Sequence, residues 1–419
     1  MTTPQSVNEL PAEILGMIFF EFLEEEVDQK WRSQHPGCLI PVCRLWKELV
    51  EGNSRLWSRI DVVLGTTNTT MDVQSISNRI RKAKRSPLAL YIYHRDWRLY
   101  PTAAVTRDVL ALYDLIKDHR WRAISVFNGG HLASFEIIFR HMIDHPQMCR
   151  LFSFHMEQPV SNDTTRVMVK EALRRNLSIT QLTVPTSFLE PSFPLYQVVS
   201  YLEVVGLCDQ TEILSHLRGA SSLRSLRVEC LVGITVDQDD SPPPCALPKL
   251  ENLDLRSCHI FPKLLIQKLD LPAIWNLKLR RVYWSVKRTD QELKSLVSDV
   301  SWLTRIKSLN LEEVQVSEAT LLWTLQRLPL LRNLTLASWK RISCKTTKKL
   351  SEQPTARRRW LCPLLEEIEF GACPKLSESD VTALVEARVS DISSLAPASK
   401  ISPSLLRKVI WGGRDTASV

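Results

Sequence analysis

Glycine is scarce, 12 in 419 residues, against about 7 % in an average protein. Few tight glycine loops are therefore available for phosphate cradles or short hairpins. The ten cysteines never form C-x-x-C and never pair with histidine at zinc spacing, which excludes the familiar structural zinc modules. Such scattered usage suits reduced, buried thiols of the cytosol or nucleus. A run of about eighteen apolar residues is missing, so no membrane span is expected. The opening MTTPQSVNEL has no apolar signal core. Catalytic signatures are absent too: no G-x-x-x-x-G-K-[ST], G-x-G-x-x-G, H-E-x-x-H or G-x-S-x-G. His141 and His145 stand four apart without a third ligand at metal spacing. The chain is expected to be no enzyme and to need no cofactor and no metal.

Charge is present in both signs, 54 basic and 46 acidic groups, net +8. Nucleic-acid binding needs clustered charge rather than excess. The basic clusters are Arg79, Arg81, Lys82, Lys84 and Arg85, then Lys340 to Lys349, then Arg357 to Arg359. None carries an aromatic stacking platform, so solvated surface is the favoured reading and nucleic acid is not an expected partner.

Residues 10 to 57 are the richest stretch. Pro11 suits a helix start. Ile14, Leu15, Ile18, Phe19 and Phe22 recur at helical spacing as one broad apolar stripe. EEEVDQKWRSQHPG then reads as a loop. Val42, Leu45, Trp46 and Leu49 share the face of a second helix, and Leu56, Trp57 and Ile60 close the unit. These short pieces carry more apolar surface than they can bury among themselves, which points to a partner.

The order Leu10-Pro11-x-Glu13-Ile14-Leu15-x-x-Ile18-Phe19, then Val42-Cys43-Arg44-x-Trp46-x-x-Leu49, then Leu56-Trp57, resembles the F-box. The connection over residues 23 to 40 is longer and more acidic than is usual there. The resemblance implies a three-helix module that docks a Skp-type adaptor through Leu10, Pro11, Ile14, Leu15, Ile18, Phe19, Val42, Cys43, Trp46, Leu49, Leu56 and Trp57.

Downstream, residues 72 to 84 read as a helix, 88 to 93 as a strand and 106 to 118 as a helix. A pattern of apolar-x-x-apolar-x-apolar then returns, from Trp121/Ile124/Val126 through Leu250/Leu253/Leu255 to Leu406/Val409/Trp411. Its period matches the leucine-rich repeat, which it resembles, with Cys258 and Cys373 at the Asn/Cys slot. The helices between strands are marked by Ile213, Leu214 and Leu217, by Ser317 before Leu321, Leu322 and Leu325, and by Ser377 before Val381 and Leu384. Residues 233–248, acidic and proline-rich, and 340–359, basic and polar, read as insertions. The expected fold is α/β: an F-box over 1–62, a transition over 63–120, and an irregular leucine-rich-repeat solenoid with a curved parallel sheet over 121–419.

In a leucine-rich repeat the residues between the apolar strand positions point onto the concave sheet. Here they include Arg227, Asn252, Asp254, Arg256, Asn276, Lys278, Arg280 and Asn310. Their basic centre suits a carboxylate-rich or phosphorylated protein. The resemblance as a whole implies a substrate receptor of an SCF-type cullin-RING ubiquitin ligase, in the cytoplasm, the nucleus or both. The alternatives are an F-box scaffold outside ubiquitin ligation and a basic repeat protein that binds nucleic acid.

Overall fold

The computed structural model describes residues 10–24, 36–64, 72–94, 102–127, 132–157, 162–191, 193–232, 243–259, 262–282, 285–352, 361–389, 406–411 and 414–418. The chain divides into two compact units, Met1–Phe188 and Leu189–Val419.

The first unit opens with helices α1 (Ala12–Glu24) and α2 (Arg44–Gly52) and a 3-10 turn over Ser54–Trp57. The third piece of the helical module is thus a single tight turn. Strands and helices then alternate: β1 (Arg59–Leu64), α3 (Val73–Ala83), β2 (Leu88–His94), α4 (Thr102–Ile116), β3 (Trp121–Phe127), α5 (Glu136–Asp144), β4 (Ser153–Met156), α6 (Asp163–Arg175) and β5 (Gln181–Pro185). β1 to β5 pair in sequence order and are all parallel. A parallel neighbour requires a crossover, and each crossover here carries a helix. The helix, strand and helix expected between 63 and 120 are α3, β2 and α4.

The second unit continues the alternation. Its main strands are β6 (Tyr201–Val205), β8 (Ser225–Glu229), β11 (Asn252–Arg256), β13 (Asn276–Val282), β14 (Ser308–Val314), β15 (Asn333–Ala337), β16 (Glu367–Gly371) and β17 (Lys408–Trp411). They pair in parallel in that order, and β18 (Arg414–Ser418) closes the row antiparallel. Two short parallel pairs lie beside them, β7 (Cys208–Asp209) with β9 (Leu231–Val232) and β10 (Cys245–Ala246) with β12 (Leu269–Asp270). The helices are α7 (Gln210–Leu217), α8 (Lys263–Lys268), α9 (Val286–Asp299), α10 (Glu318–Leu325), α11 (Cys344–Ser351) and α12 (Glu378–Val389).

Register explains the core. Leu226, Leu253, Leu277, Leu309, Leu334, Ile368 and Val409 stand side by side, and all are buried. Val228, Leu255, Leu279, Leu311, Leu336 and Phe370 form a second buried rung. Each such side chain contributes roughly 1.5–3 kcal/mol on burial. Alternation along the strands turns the intervening polar residues to the opposite face. Cys258 and Cys373 are buried just past their strands, and their thiols donate to backbone carbonyls: Cys258 to Arg256 at 3.6 Å, Cys373 to Leu336 at 3.4 Å.

One expectation needs correcting. Residues 340–359 are not a plain surface insertion: Cys344–Ser351 is a helix, capped by Ser343, whose hydroxyl accepts from the Lys345 amide. Thr346, Thr347 and Leu350 are its buried side. Residues 353–360, and 233–242 of the other insertion, lie outside the described residues. Among the described residues no helix is long and apolar enough to cross a membrane.

Candidate functional site

Two surfaces concentrate unusual chemistry, one in each unit. The first is built by α1 and α2. The Pro11 carbonyl accepts from the Leu15 amide at 3.0 Å and starts α1. The helix is apolar on two sides. Leu15, Phe19 and Leu23 are buried, and the Phe19 ring lies 4.6 Å from that of Trp46. Val50, Leu56 and Trp57 complete this inner side. Trp57 Nε1 donates to the Val50 carbonyl at 2.8 Å, and Lys82 Nζ sits 3.9 Å from the Trp57 ring centre.

The outer side is different. Ile14, Met17, Ile18 and Phe22 follow the i, i+3, i+4, i+8 rhythm of one helix face. Val42 and Leu45, at the second helix, are exposed as well, and the six range from 37 % exposed at Leu45 to 64 % at Met17. An exposed apolar face of this kind is a candidate interaction site.

The sequence-assigned residues therefore separate. Ile14, Ile18, Val42 and Pro11 are exposed, while Leu10, Cys43, Trp46 and Leu49 are half-buried. Leu15, Phe19, Leu56 and Trp57 face the chain's own core and do not offer their side chains to a partner. This corrects their place in a docking face. Sequence reasoning merged two neighbouring stripes of α1 into one, missed Met17, and placed Leu45 on the second helix's apolar face without assigning it to docking. The signal was present: at 3.6 residues per turn 14, 17, 18 and 22 are centred about a third of a turn from 15, 19 and 23.

The second surface is the polar face of the second unit's sheet. Glu203, Arg227, Asp254, Lys278 and Asn310 lie in register on successive strands, β6 to β14. Arg256, Arg280 and Glu312 form the next rung. Asp254 is 7 % exposed and stands among the arginines. Its Oδ2 takes Arg227 Nε at 3.2 Å and Arg256 Nη2 at 3.0 Å, and Arg280 Nε lies 3.7 Å from Oδ1. Arg227 Nη1 also reaches Glu203 at 3.1 Å, and Arg280 Nε reaches Glu312 at 3.6 Å. Asn276 donates to Asn252 across the strands at 3.0 Å.

Burial opposes the charge of Arg227, but Glu203 and Asp254 outweigh it and hold its pKa above the ordinary arginine value. Lys278 behaves oppositely. Burial first, then the neighbouring Arg280, Arg227 and Arg256 guanidiniums, depress its pKa, and Asp254 offsets only part of this. Among the described residues Lys278 has no ion pair within 4 Å, while its three arginine neighbours do.

All eight residues assigned from sequence to this face lie in the paired strands. Asp254 and Asn276 are buried beneath their neighbours, so they organise the surface instead of presenting it. Sequence reasoning saw a basic centre and missed its counter-ion Glu203, because cross-strand partners appear only once register is fixed. The cluster of three metal-capable side chains that metal binding would need is absent among the described residues. His141 is packed between Tyr113, whose hydroxyl lies 3.2 Å from Nδ1, and the Trp121 ring at 4.8 Å.

Neither a family model nor a curated protein matches this chain. Among solved structures the chain is similar to the crystal structure of a Rad7 and Elc1 complex in yeast, at 13 % identity and a TM-score of 0.38, over 74 % of this chain and 68 % of that one.

Proposed function

We propose that the chain is the substrate-recognition subunit of an SCF-type cullin-RING ubiquitin ligase. In this reading α1, α2 and the turn after them are an F-box, and the strand–helix units are leucine-rich repeats. The observation that carries it is the exposed apolar face of Ile14, Met17, Ile18, Phe22, Val42 and Leu45, set within an ordered F-box-like motif. The partner of that face is a Skp-type adaptor, and through it a cullin-RING core. The polar sheet face of the second unit holds the substrate protein. The chain supplies no catalytic residue of its own: it raises the local concentration of a substrate lysine near a charged conjugating enzyme. It works in the cytoplasm, the nucleus or both. The nucleic-acid reading is weakened by the arginines of the sheet face, which are already bound to carboxylates.

Co-expression with a Skp-type adaptor tests this. The intact chain should co-purify with the adaptor and then with a cullin. The Met17→Asp/Ile18→Asp variant should lose capture by about a hundredfold, as two desolvated carboxylates at an apolar contact demand, with its thermal midpoint unchanged. Equal capture by both chains would overturn the docking face, and an adaptor complex that never recruits cullin would overturn the ligase role.

A further inference from the structure

The positive charges on the sheet face of the second unit are not equivalent. Arg227 is held by Glu203 and Asp254, Arg256 by Asp254, and Arg280 between Asp254 and Glu312. Three arginines thus pair with three carboxylates, and among the described residues the cation of this cluster without an ion pair is Lys278. It lies between Asp254 on β11 and Asn310 on β14. Two residues away along β13, on the same face, are Asn276 and Arg280.

We propose that Lys278 is the seat for a single oxyanion, a carboxylate or phosphate carried on one side chain of a partner protein, with the Arg256 and Arg280 guanidiniums steering it. This rests on the reading that the face holds a substrate, and it narrows that reading. An extended acidic surface would have to draw the arginines away from Glu203, Asp254 and Glu312, stranding half-buried carboxylates without their partners. A single oxyanion displaces nothing. It neutralises the one ammonium crowded by like charges and accepts charge-assisted hydrogen bonds from it. Asp254 is a positioning residue here: it fixes the three arginines around the seat and is itself too buried to touch the ligand.

The test uses the full-length chain and three pools of short degenerate peptides. The pools lack other acids and fix the central residue as serine, phosphoserine or glutamate. Retention on the immobilised chain should favour the phosphoserine pool, the glutamate pool or both over serine by about tenfold, the ratio expected of one charge-assisted contact. Which pool wins distinguishes phosphate from carboxylate. Lys278→Met should erase the preference, and Lys278→Arg should retain it, with both variants folded by their melting curves. Among the peptide results, three would overturn the proposal: no preference over serine, a preference that survives Lys278→Met, or retention that climbs steadily as further glutamates are added. Tighter binding of a single-stranded oligonucleotide than of any peptide would also overturn it, in favour of nucleic acid. Adaptor capture is read in the same preparations. If capture persists while the preference is absent, this inference alone fails; if capture fails while the preference stands, the ligase reading fails.

Discussion

A row of residues in the second unit is held at positive φ: Gly206 (86°), Cys230 (60°), Ser257 (50°), Ser338 (60°) and Ala372 (50°) just past a paired strand, and Arg281 (55°) and Glu313 (52°) near the ends of β13 and β14. The residues just before them pair laterally from Glu229 through Arg256, Arg280, Glu312 and Ala337 to Gly371, so all belong to one rung. Their amides serve the neighbouring strand: Cys230 N donates to Arg256 O at 3.0 Å and Ser257 N to Arg280 O at 2.9 Å. A left-handed conformation costs a non-glycine residue about 1–2 kcal/mol, and β-branched residues pay most; none occurs on this rung. Gly206→Ala should therefore destabilise by about 1 kcal/mol through backbone strain alone, since a Cβ there meets nothing within 4 Å. Ser257→Gly should shift stability by a few tenths to 1 kcal/mol in the favourable direction, less than the relieved strain because glycine loses more entropy. Denaturant midpoints measure both. The scarcity of glycine had suggested few tight turns. The turns are present, and they are made by residues that glycine counting overlooks.

At the scale of elements, the repeats are stitched through the starts of their helices. Gln210 on α7 accepts from the Leu265 amide on α8 at 2.8 Å, and Asp290 on α9 accepts from the Ser317 amide ahead of α10 at 2.7 Å. Glu318 on α10 does the most. It accepts from the amides of Ser343 and Thr346, both at 3.1 Å, and from their hydroxyls at 2.9 and 2.7 Å. Each link satisfies amides that a helix start leaves unpaired, using a side chain from the preceding repeat. Burial would raise the Glu318 pKa, but the hydrogen bonds from Thr346 and Ser343 outweigh it and hold the carboxyl below its usual range. A depressed folded pKa gives stability that is complete above the unfolded value and is lost as pH falls through the folded one. Glu318→Gln should therefore cost about 1–2 kcal/mol at neutral pH. The gap from the parent should close as the pH drops below about 4.3, the ordinary glutamate value; a constant gap would mean that size, not charge, matters. These links also explain what was legible in sequence. The strands were, because Leu-x-x-Leu-x-Leu reports a local two-residue alternation. α10 and α12 were, through Ser317 and Ser377. α11 was not: CKTTKKLS offers one large apolar residue, Leu350, and its Ser343 cap is itself held by Glu318, 25 residues earlier in the chain.

At the scale of the molecule, the helical pair that starts the chain is tied into the unit it opens. Arg59 on β1 donates through Nη1 to the Leu23 carbonyl at the end of α1, at 2.9 Å. The Arg55 and Arg122 guanidiniums approach the Phe20 ring at 4.0 and 5.5 Å, and Ser54 and Ser86 share a hydroxyl bond of 2.8 Å. A repeat array needs its terminal units capped, because each buries its apolar side only against neighbours. The inner stripe of α1, with Leu56 and Trp57, packs into the first unit, and the outer stripe stays exposed. The two stripes should separate by experiment. Trp57 is 2 % exposed, so Trp57→Ala should remove about 3–5 kcal/mol of stability, a large share of the 5–15 kcal/mol that holds a typical domain. It should weaken adaptor capture only in proportion to the fraction unfolded, and a stabilising osmolyte should restore capture. Met17→Asp, on the exposed stripe, should leave the melting curve unchanged and lose capture that no osmolyte restores. If osmolyte restores both variants alike, the two stripes act as one core, and the division of α1 into a capping side and a docking side fails.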